Sequence, residues 1–206
     1  MKLALYPKVL VGYLLFGILG FTLISTFSSN LVYSYLISKN AESLYTQATK
    51  LSNQVTDYYS EDMVDLSTLS SELSSLSKWM DSNIWIMNKE GLIIYDSTGE
   101  HKNHKIEAFE TTQQYFCTGT FYNEFSEDYL SVIAPINVDY SIRGYILFHS
   151  PISIILEEQY HVLNLIYISS ALIFVLSLII LIVFQFVVYL PIKKSQKLLQ
   201  LMLKVI

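Results

Sequence analysis

Residues 84–95 read IWIMNKEGLIIY, and this stretch decides the fold of the middle of the chain. Two runs rich in β-branched and aromatic residues, 84–87 and 92–95, flank the tetrapeptide NKEG. Such runs are typical of strands, and Gly91 suits the positive φ of a tight turn between antiparallel strands. The stretch therefore predicts a β-hairpin.

Further strand patterns follow this hairpin. Residues 97–114 are polar and predict a loop with one short helix. Three apolar and aromatic segments then predict strands at 115–125, 129–136 and 143–149. The turn-like residues 137–142 make the last two strands a second hairpin.

Two helical patterns precede the hairpin. Residues 30–59 contain no Gly or Pro, and their apolar positions recur at roughly helical spacing: Leu31, Tyr35, Leu44, Ala48, Leu51 and Val55. Residues 65–80 repeat the pattern, with Asp65 as the expected N-cap and an apolar stripe of Leu66, Leu69, Leu73, Leu76 and Met80. Helices followed by strands predict an α+β domain, with helices on one side of a five-stranded antiparallel sheet.

Two long apolar runs lie outside this domain, at 9–27 and 163–190, and neither contains a charged residue. At about 1.5 Å per helical residue, both are long enough to cross a hydrocarbon core of about 30 Å. A cleaved signal peptide is the alternative reading of the first run. Its apolar region usually spans only about 7 to 15 residues, so an uncleaved transmembrane helix is favoured.

Charge predicts the membrane topology. All 18 acidic residues lie between the two apolar runs, with seven basic ones, so this central segment carries a formal charge of −11. Six lysines supply all the charge of the two flanks. Short lysine-rich flanks stay in the cytoplasm, whereas a long loop crosses largely regardless of its charge. Both termini are expected inside the cell and the loop outside.

The second apolar run extends a helix that would connect the external domain to the cytoplasm, and its candidate relay positions are Pro151, Gln185 and Pro191. Ser150 and Pro151 predict a capped helix that leads directly into the run. Gln185 places an amide inside the run, where it favours the interior of a helix bundle. Pro191 follows the run directly.

Candidate ligand-binding residues lie on the predicted strands and their loops. Arg143, Tyr145 and His149 alternate onto one strand face. Arg143 is the sole arginine, and arginine binds carboxylates and phosphates in a bidentate manner. The ordinary alternatives are an edge residue for Arg143 and core packing for the aromatic residues. The full candidate set is Tyr95, Tyr122, Tyr129, Arg143, Tyr145 and His149.

Two other patterns predict no chemistry. His101 and His104 form an H-x-x-H pair without a third ligand at suitable spacing, so a solvated loop is favoured over a metal site. Glu157 and Glu158 are adjacent and point apart on a helix, which favours a solvated surface. We expect no catalytic residue, no metal and no cofactor in this chain.

These features together resemble the sensory half of a bacterial two-component sensor histidine kinase. The segments that carry the resemblance are the hairpin IWIMNKEGLIIYDS, the strands LSVIAPI and RGYILFHSP, and the sequence YLPIKK at the end of the second apolar run. The resemblance implies a single Cache or PAS-like extracytoplasmic domain with a long N-terminal helix. It also implies that Pro191 begins a HAMP relay helix, whose apolar positions would be Ile192, Leu199, Met202 or Leu203, and Ile206.

The expected organisation has five parts: a cytoplasmic start (1–8), transmembrane helix 1 (9–28), the sensor domain (29–161), transmembrane helix 2 (162–190) and a partial HAMP helix (191–206). The resemblance implies a multi-pass protein of the bacterial cell membrane and a homodimer. Its expected partners are membrane lipid and an external small molecule or peptide, with no nucleic acid.

The resemblance also implies a cytoplasmic output that these 206 residues do not contain. A response regulator, ATP and Mg²⁺ would be engaged only by a kinase domain beyond them. Two alternatives stay open: the input half of a chemoreceptor or diguanylate cyclase, and a non-enzymatic envelope interaction protein.

Overall fold

The computed structural model describes residues 5–56, 59–60, 63–64, 69–107, 109, 114–192 and 194–195. The chain divides into two compact units, one formed by Tyr33–Gln159 and the other by Met1–Val32 with Tyr160–Ile206. The helices are α1 (Leu5–Thr56), α2 (Ser70–Trp79) and α3 (Ile152–Phe184), followed by a π-helix at Gln185–Tyr189. The strands are β1 (Tyr59–Ser60), β2 (Met63–Val64), β3 (Asn83–Asn88), β4 (Ile93–Asp96), β5 (Phe116–Gly119), β6 (Tyr129–Val138) and β7 (Ser141–Pro151).

The sheet of the Tyr33–Gln159 unit confirms the predicted α+β class. Five antiparallel strands lie in the order β4-β3-β7-β6-β5. The predicted hairpin is β3 and β4, and its turn is held by the Asn88 side chain, which accepts hydrogen bonds from the amides of Glu90 and Leu92. Gly91 has a φ of 86°, as the turn requires. The short strands β1 and β2 pair with each other in a separate two-stranded sheet.

The two faces of the sheet are covered differently. On one face lie Ile84 and Ile86 of β3 and Phe148 of β7, all fully buried. On the other face the register aligns Trp85 with Leu147 and Ile133, and Asn83 with His149 and Ser131. Long connections cover this second face, since Ile106, Phe121 and Phe125 pack there. We call it the loop face.

The domain segment of α1 is a core helix. Its buried positions are Ile37, Ala41, Leu44, Ala48, Leu51 and Val55, which step by three and four residues. The Ser52 hydroxyl donates a 2.6 Å hydrogen bond to the carbonyl of Pro135 on β6, so this segment follows that strand. Leu31 and Tyr35, which the same pattern includes, are exposed.

Three element boundaries predicted from the sequence are wrong. The strand predicted at 115–125 ends at Gly119, because Phe121, Tyr122 and Asn123 adopt left-handed conformations that cannot continue a strand. The helix predicted from Pro151 begins at Ile152, since Ser150 and Pro151 still pair with β6. Helix α2 begins at Ser70, so Leu69, which the prediction includes in the helix, precedes it. The predicted cap Asp65 and the HAMP positions from residue 196 onward lie outside the described residues.

The second unit, Met1–Val32 with Tyr160–Ile206, contains segments of α1 and α3. Both helices are long and apolar enough to cross a membrane. Polar groups on these segments bond to each other. The Tyr13 hydroxyl hydrogen-bonds with Ser177, and Ser25 Oγ donates to the Tyr167 hydroxyl over 3.2 Å. Such bonds satisfy groups that lipid cannot.

A close approach of α1 and α3 within this unit requires Gly17. A Cβ at Gly17 would overlap the Phe174 ring, which stacks on Tyr13 with centroids 5.4 Å apart. Small residues allow such close contact between helices in a membrane.

Two glycines offer a matched test of the hairpin. Gly91 and Gly99 both have positive φ, but a Cβ at Gly91 would lie 2.9 Å from the Ile106 carbonyl oxygen, whereas Gly99 faces open space. A left-handed alanine costs about 1 to 2 kcal/mol. We expect Gly99→Ala to lower the free energy of unfolding by about that amount and Gly91→Ala by clearly more. Urea unfolding of the full chain in nanodiscs, followed by tryptophan fluorescence, measures both. Equal losses would contradict the packing of residue 106 against this turn.

Candidate functional site

A cluster of rings fills the loop face at the end of β7 nearest α3. His149 lies at its centre, with the ring centroids of Trp85, Phe121 and Phe125 at 4.3, 4.7 and 5.0 Å. The His101 ring joins it, 5.0 Å from Trp85. We call these five residues the His149 cluster. Trp85 and His149 lie on the neighbouring strands β3 and β7. His101 lies between β4 and β5, and Phe121 and Phe125 lie between β5 and β6.

His149 is fully buried, and among the described residues its hydrogen-bond partner is the Ser131 hydroxyl, 2.8 Å from Nδ1. If Ser131 donates, the hydroxyl proton is used and the imidazole carries its own proton on Nε2. The opposite arrangement would leave the hydroxyl proton without an acceptor among the described residues, so it is disfavoured. Burial lowers the pKa of His149 to about 3, an effect that Asp96 opposes and His101 strengthens. The ring is therefore neutral at ordinary pH and has an Nε2–H donor.

Three buried nitrogens of the cluster have no hydrogen-bond partner among the described residues: His149 Nε2, Trp85 Nε1 and His101 Nδ1. His101 Nδ1 faces the Asp96 carboxylate, whereas the two donors, His149 Nε2 and Trp85 Nε1, are on fully buried side chains. An indole N–H can only donate a hydrogen bond. A buried donor left unsatisfied costs about 1 to 3 kcal/mol, so such pairs mark sites that bind another molecule or water.

Asp96 adjoins the cluster, with its carboxylate satisfied locally. It accepts hydrogen bonds from the amides of Thr98 and His101 and from the Thr98 hydroxyl, at 2.8 to 2.9 Å. Burial alone would raise the pKa of Asp96, but these bonds and nearby His101 hold it below its ordinary value. His101 Nδ1 lies 3.5 Å from Asp96 Oδ2. The negative charge of Asp96 is therefore already stabilised by hydrogen bonds within its own turn.

A strained turn forms the outer wall of the cluster. Phe121, Tyr122 and Asn123 have φ values of 40°, 56° and 65°. Left-handed residues other than glycine each cost about 1 to 2 kcal/mol and persist only when their surroundings enforce them. The conformation presses Phe121, only 4% exposed, against Trp85 and His149.

A cavity of about 400 Å³ opens on the other side of this wall. Its lining includes residues of β5 and the strained turn: Gln114, Phe116, Cys117, Thr118, Gly119, Thr120, Phe121, Tyr122 and Ile133. This volume lies within the range of small-molecule sites, roughly 300 to 1,000 Å³. Phe121 therefore separates an open cavity from two buried donors.

The predicted ligand-binding residues do not all meet. His149 is central, and Tyr129 stacks on Phe125 of the cluster at 4.1 Å. Tyr122 lines the cavity, and Tyr145 packs beside Leu147 of the same core. These four lie on or beside the loop face.

The other two candidates lie apart from the cluster. Tyr95 donates to the Ser70 carbonyl at 3.3 Å, on the helix side of the sheet. Arg143 is six residues before His149 on β7, about 20 Å away at 3.3 Å per residue. Sequence reasoning missed Trp85, Phe121, Phe125 and Asp96. A signal existed only for Asp96, because the run DSTG is typical of a side-chain-stabilised turn.

The two loop histidines diverge. His101 faces Asp96, whereas His104 Nε2 lies 3.1 Å from Glu124. Within the described ranges, no group of three or more His, Cys, Asp or Glu side chains is placed to hold a metal ion.

The predicted relay residues mark changes in backbone geometry. Pro151 is the last residue of β7. Gln185 begins the π-helix, and its carbonyl accepts the amide of Leu190, five residues later. Pro191 follows directly. A proline ring clashes with the carbonyl four residues before it, and a wider turn relieves that clash.

Comparison with known proteins assigns no family. No family model matches the chain, and no curated protein matches it. Among solved structures, the sensor domain of the Vibrio cholerae histidine kinase DctB is similar, with a TM-score of 0.37 and 13% sequence identity. The match covers 62% of this chain and 60% of that chain.

The burial of His149 predicts a pH dependence of stability. The unfolded pKa is about 6.5 and the folded value about 3, so below pH 6.5 the unfolded state binds more protons. The stability that the fold has with a neutral His149 is fully present above pH 6.5. It is lost as the pH falls toward 3, at up to about 1.4 kcal/mol per pH unit. We expect the free energy of unfolding of the full chain to fall between pH 6 and 4.5, measured by urea titration.

His149→Phe is the control for this titration. The variant keeps an aromatic ring at position 149 but has no ionisable group there. We therefore expect its free energy of unfolding to lose most of its dependence on pH between 6 and 4.5, whatever its absolute stability. Asp96 affects the slope only below about pH 4. The stability that its carboxylate contributes is present above the ordinary pKa of 3.8 and is lost as the pH falls through its lower folded pKa. Equal slopes for parent and variant would show that His149 is not buried as described.

Proposed function

We propose that this chain is the input half of a membrane signalling protein, which senses a cue outside the cell and passes it inward through α3. The observation that carries this proposal is the junction of β7 and α3. Pro151 still pairs with Tyr129, and α3 begins at the next residue. His149 therefore lies three residues before a helix that is long and apolar enough to cross a membrane.

A strand joined to a helix without a linker couples the cluster to α3. Leu147, His149 and Ser150 are all buried, and the Ile152 amide donates to the Asp128 carbonyl at 3.0 Å. A change in the loops that press on His149 thus has a short covalent path into α3. Signalling also requires two arrangements of this path with different affinities for the cue.

The remaining parts of the proposal rest on the sequence. The lysine-rich flanks favour cytoplasmic termini and an external domain in a bacterial cell membrane. The resemblance to two-component sensors favours a homodimer and a histidine kinase as the output. The ligand would be an external small molecule or peptide.

Cys117 allows a direct test of topology, since it is the one cysteine of the chain and is exposed. Desolvation raises the pKa of its thiol, so labelling is done at about pH 8.5. We expect a membrane-impermeant maleimide to label Cys117 in intact cells. In a Cys117→Ser chain that carries Lys194→Cys, we expect labelling only after permeabilisation. Cys117→Ser alone is the blank. Labelling of position 194 in intact cells would overturn the topology.

A reporter tests the relay. The full chain is joined at Ile206 to the catalytic core of a bacterial histidine kinase that drives a reporter promoter. Phe121→Ala loosens the wall against His149, and we expect a several-fold change in reporter output. Two glycines inserted between Pro151 and Ile152 should abolish that change while membrane levels stay equal. An effect of Phe121→Ala that survives the insertion would contradict transmission through this junction.

A further inference from the structure

We propose that the His149 cluster and its adjoining cavity bind a small uncharged ligand through an oxygen acceptor, such as the carbonyl of an amide or ketone, once Phe121 swings aside. This inference rests on the proposed sensory function and names the class of ligand. It is carried by the two buried donors, by the charges around them and by the strained turn.

The two donors define what the ligand must offer. Trp85 Nε1–H and His149 Nε2–H are both fully buried, have no partner among the described residues and belong to rings 4.3 Å apart. An oxygen acceptor would satisfy donors that now cost stability. The ring of Phe125 and the cavity residues Phe116 and Ile133 suit an apolar body attached to that oxygen.

The surrounding charges exclude ionic ligands. None of the described residues that form the cluster or line the cavity is a lysine or an arginine, and the His101 ring of the cluster already faces Asp96, so no cationic side chain is placed to neutralise a buried anion. The Asp96 charge lies near enough to act on His149 and would repel an anion further. A cation gains little, because the Asp96 oxygens are occupied by Thr98 and His101, and His149 presents a proton outward.

The strained turn supplies the entry route. Phe121 has one side on the donors and the other on the cavity of about 400 Å³. Its left-handed backbone stores strain, which a turn to an ordinary conformation would release. That release offsets part of the cost of uncovering the cluster.

The test uses the two tryptophans of the full chain in nanodiscs. Labelling with ¹⁵N-tryptophan gives two indole N–H signals, from buried Trp85 and from Trp79, which is 75% exposed. Trp79→Phe assigns them. N-methylpyrrolidone is the neutral probe, N-methylpyrrolidinium the matched cation without the carbonyl, and cyclopentanecarboxylate the anion.

We expect N-methylpyrrolidone to shift the Trp85 signal saturably at millimolar concentration and to leave the Trp79 signal in place. The two ions should be at least tenfold weaker. His149→Phe, which keeps a ring but removes a donor, should weaken binding by about tenfold. Phe121→Ala should strengthen binding several-fold, because it removes the wall.

Three results would overturn the proposal. The first is equal or tighter binding of either ion. The second is a Trp85 indole that responds to no probe and shows contact with water alone, which would make the donors a water site. The third is an affinity that neither variant changes. If the probe binds but reporter output ignores Phe121→Ala, the sensory function fails and the site stands. If the reporter responds but no neutral probe binds, only the ligand class fails.

Discussion

A neutral histidine is buried at the centre of the loop face, and the arrangement of that face depends on keeping it neutral. Ser131 is the hydrogen-bond partner of His149 within the described part of the chain, and aromatic rings pack against the imidazole. Water cannot stabilise a proton on this ring, so protonation and opening of the loops are linked. The nearby carboxylate of Asp96 does not reverse this, because its bonds to Thr98 and His101 already balance it.

The same residue belongs to the strand that leads directly into α3, a helix long and apolar enough to cross a membrane. Two residues, Ser150 and Pro151, separate His149 from Ile152; both pair with β6, and the Ile152 amide makes a backbone hydrogen bond to Asp128. The strained turn at Phe121 presses on His149 from the outside. The strained turn therefore contacts a buried ring that lies three residues before α3, and the proposed relay rests on this arrangement.

Local patterns made much of the fold predictable. The hairpin at 84–95, the α1 stripe and the apolar runs depend on spacing along the chain alone, and the period of two placed Tyr145 and His149 on one face. Partners from distant segments were not readable. A continuous apolar run hides which way Trp85 faces, and nothing in the composition marks Phe121 as left-handed. Trp85 lies beside His149 because the sheet register places Asn83 opposite His149, and only the folded sheet establishes that register.

The central claim is that the loops over His149 are coupled to the start of α3. Amide hydrogen exchange in the full chain in nanodiscs measures this coupling directly at Ile152, whose amide donates to Asp128. If the claim is right, Phe121→Ala accelerates exchange at Ile152 and leaves exchange in the Leu44 to Leu51 segment of α1 unchanged. Exchange at Ile152 that matches the parent, while the loops themselves exchange faster, would contradict it.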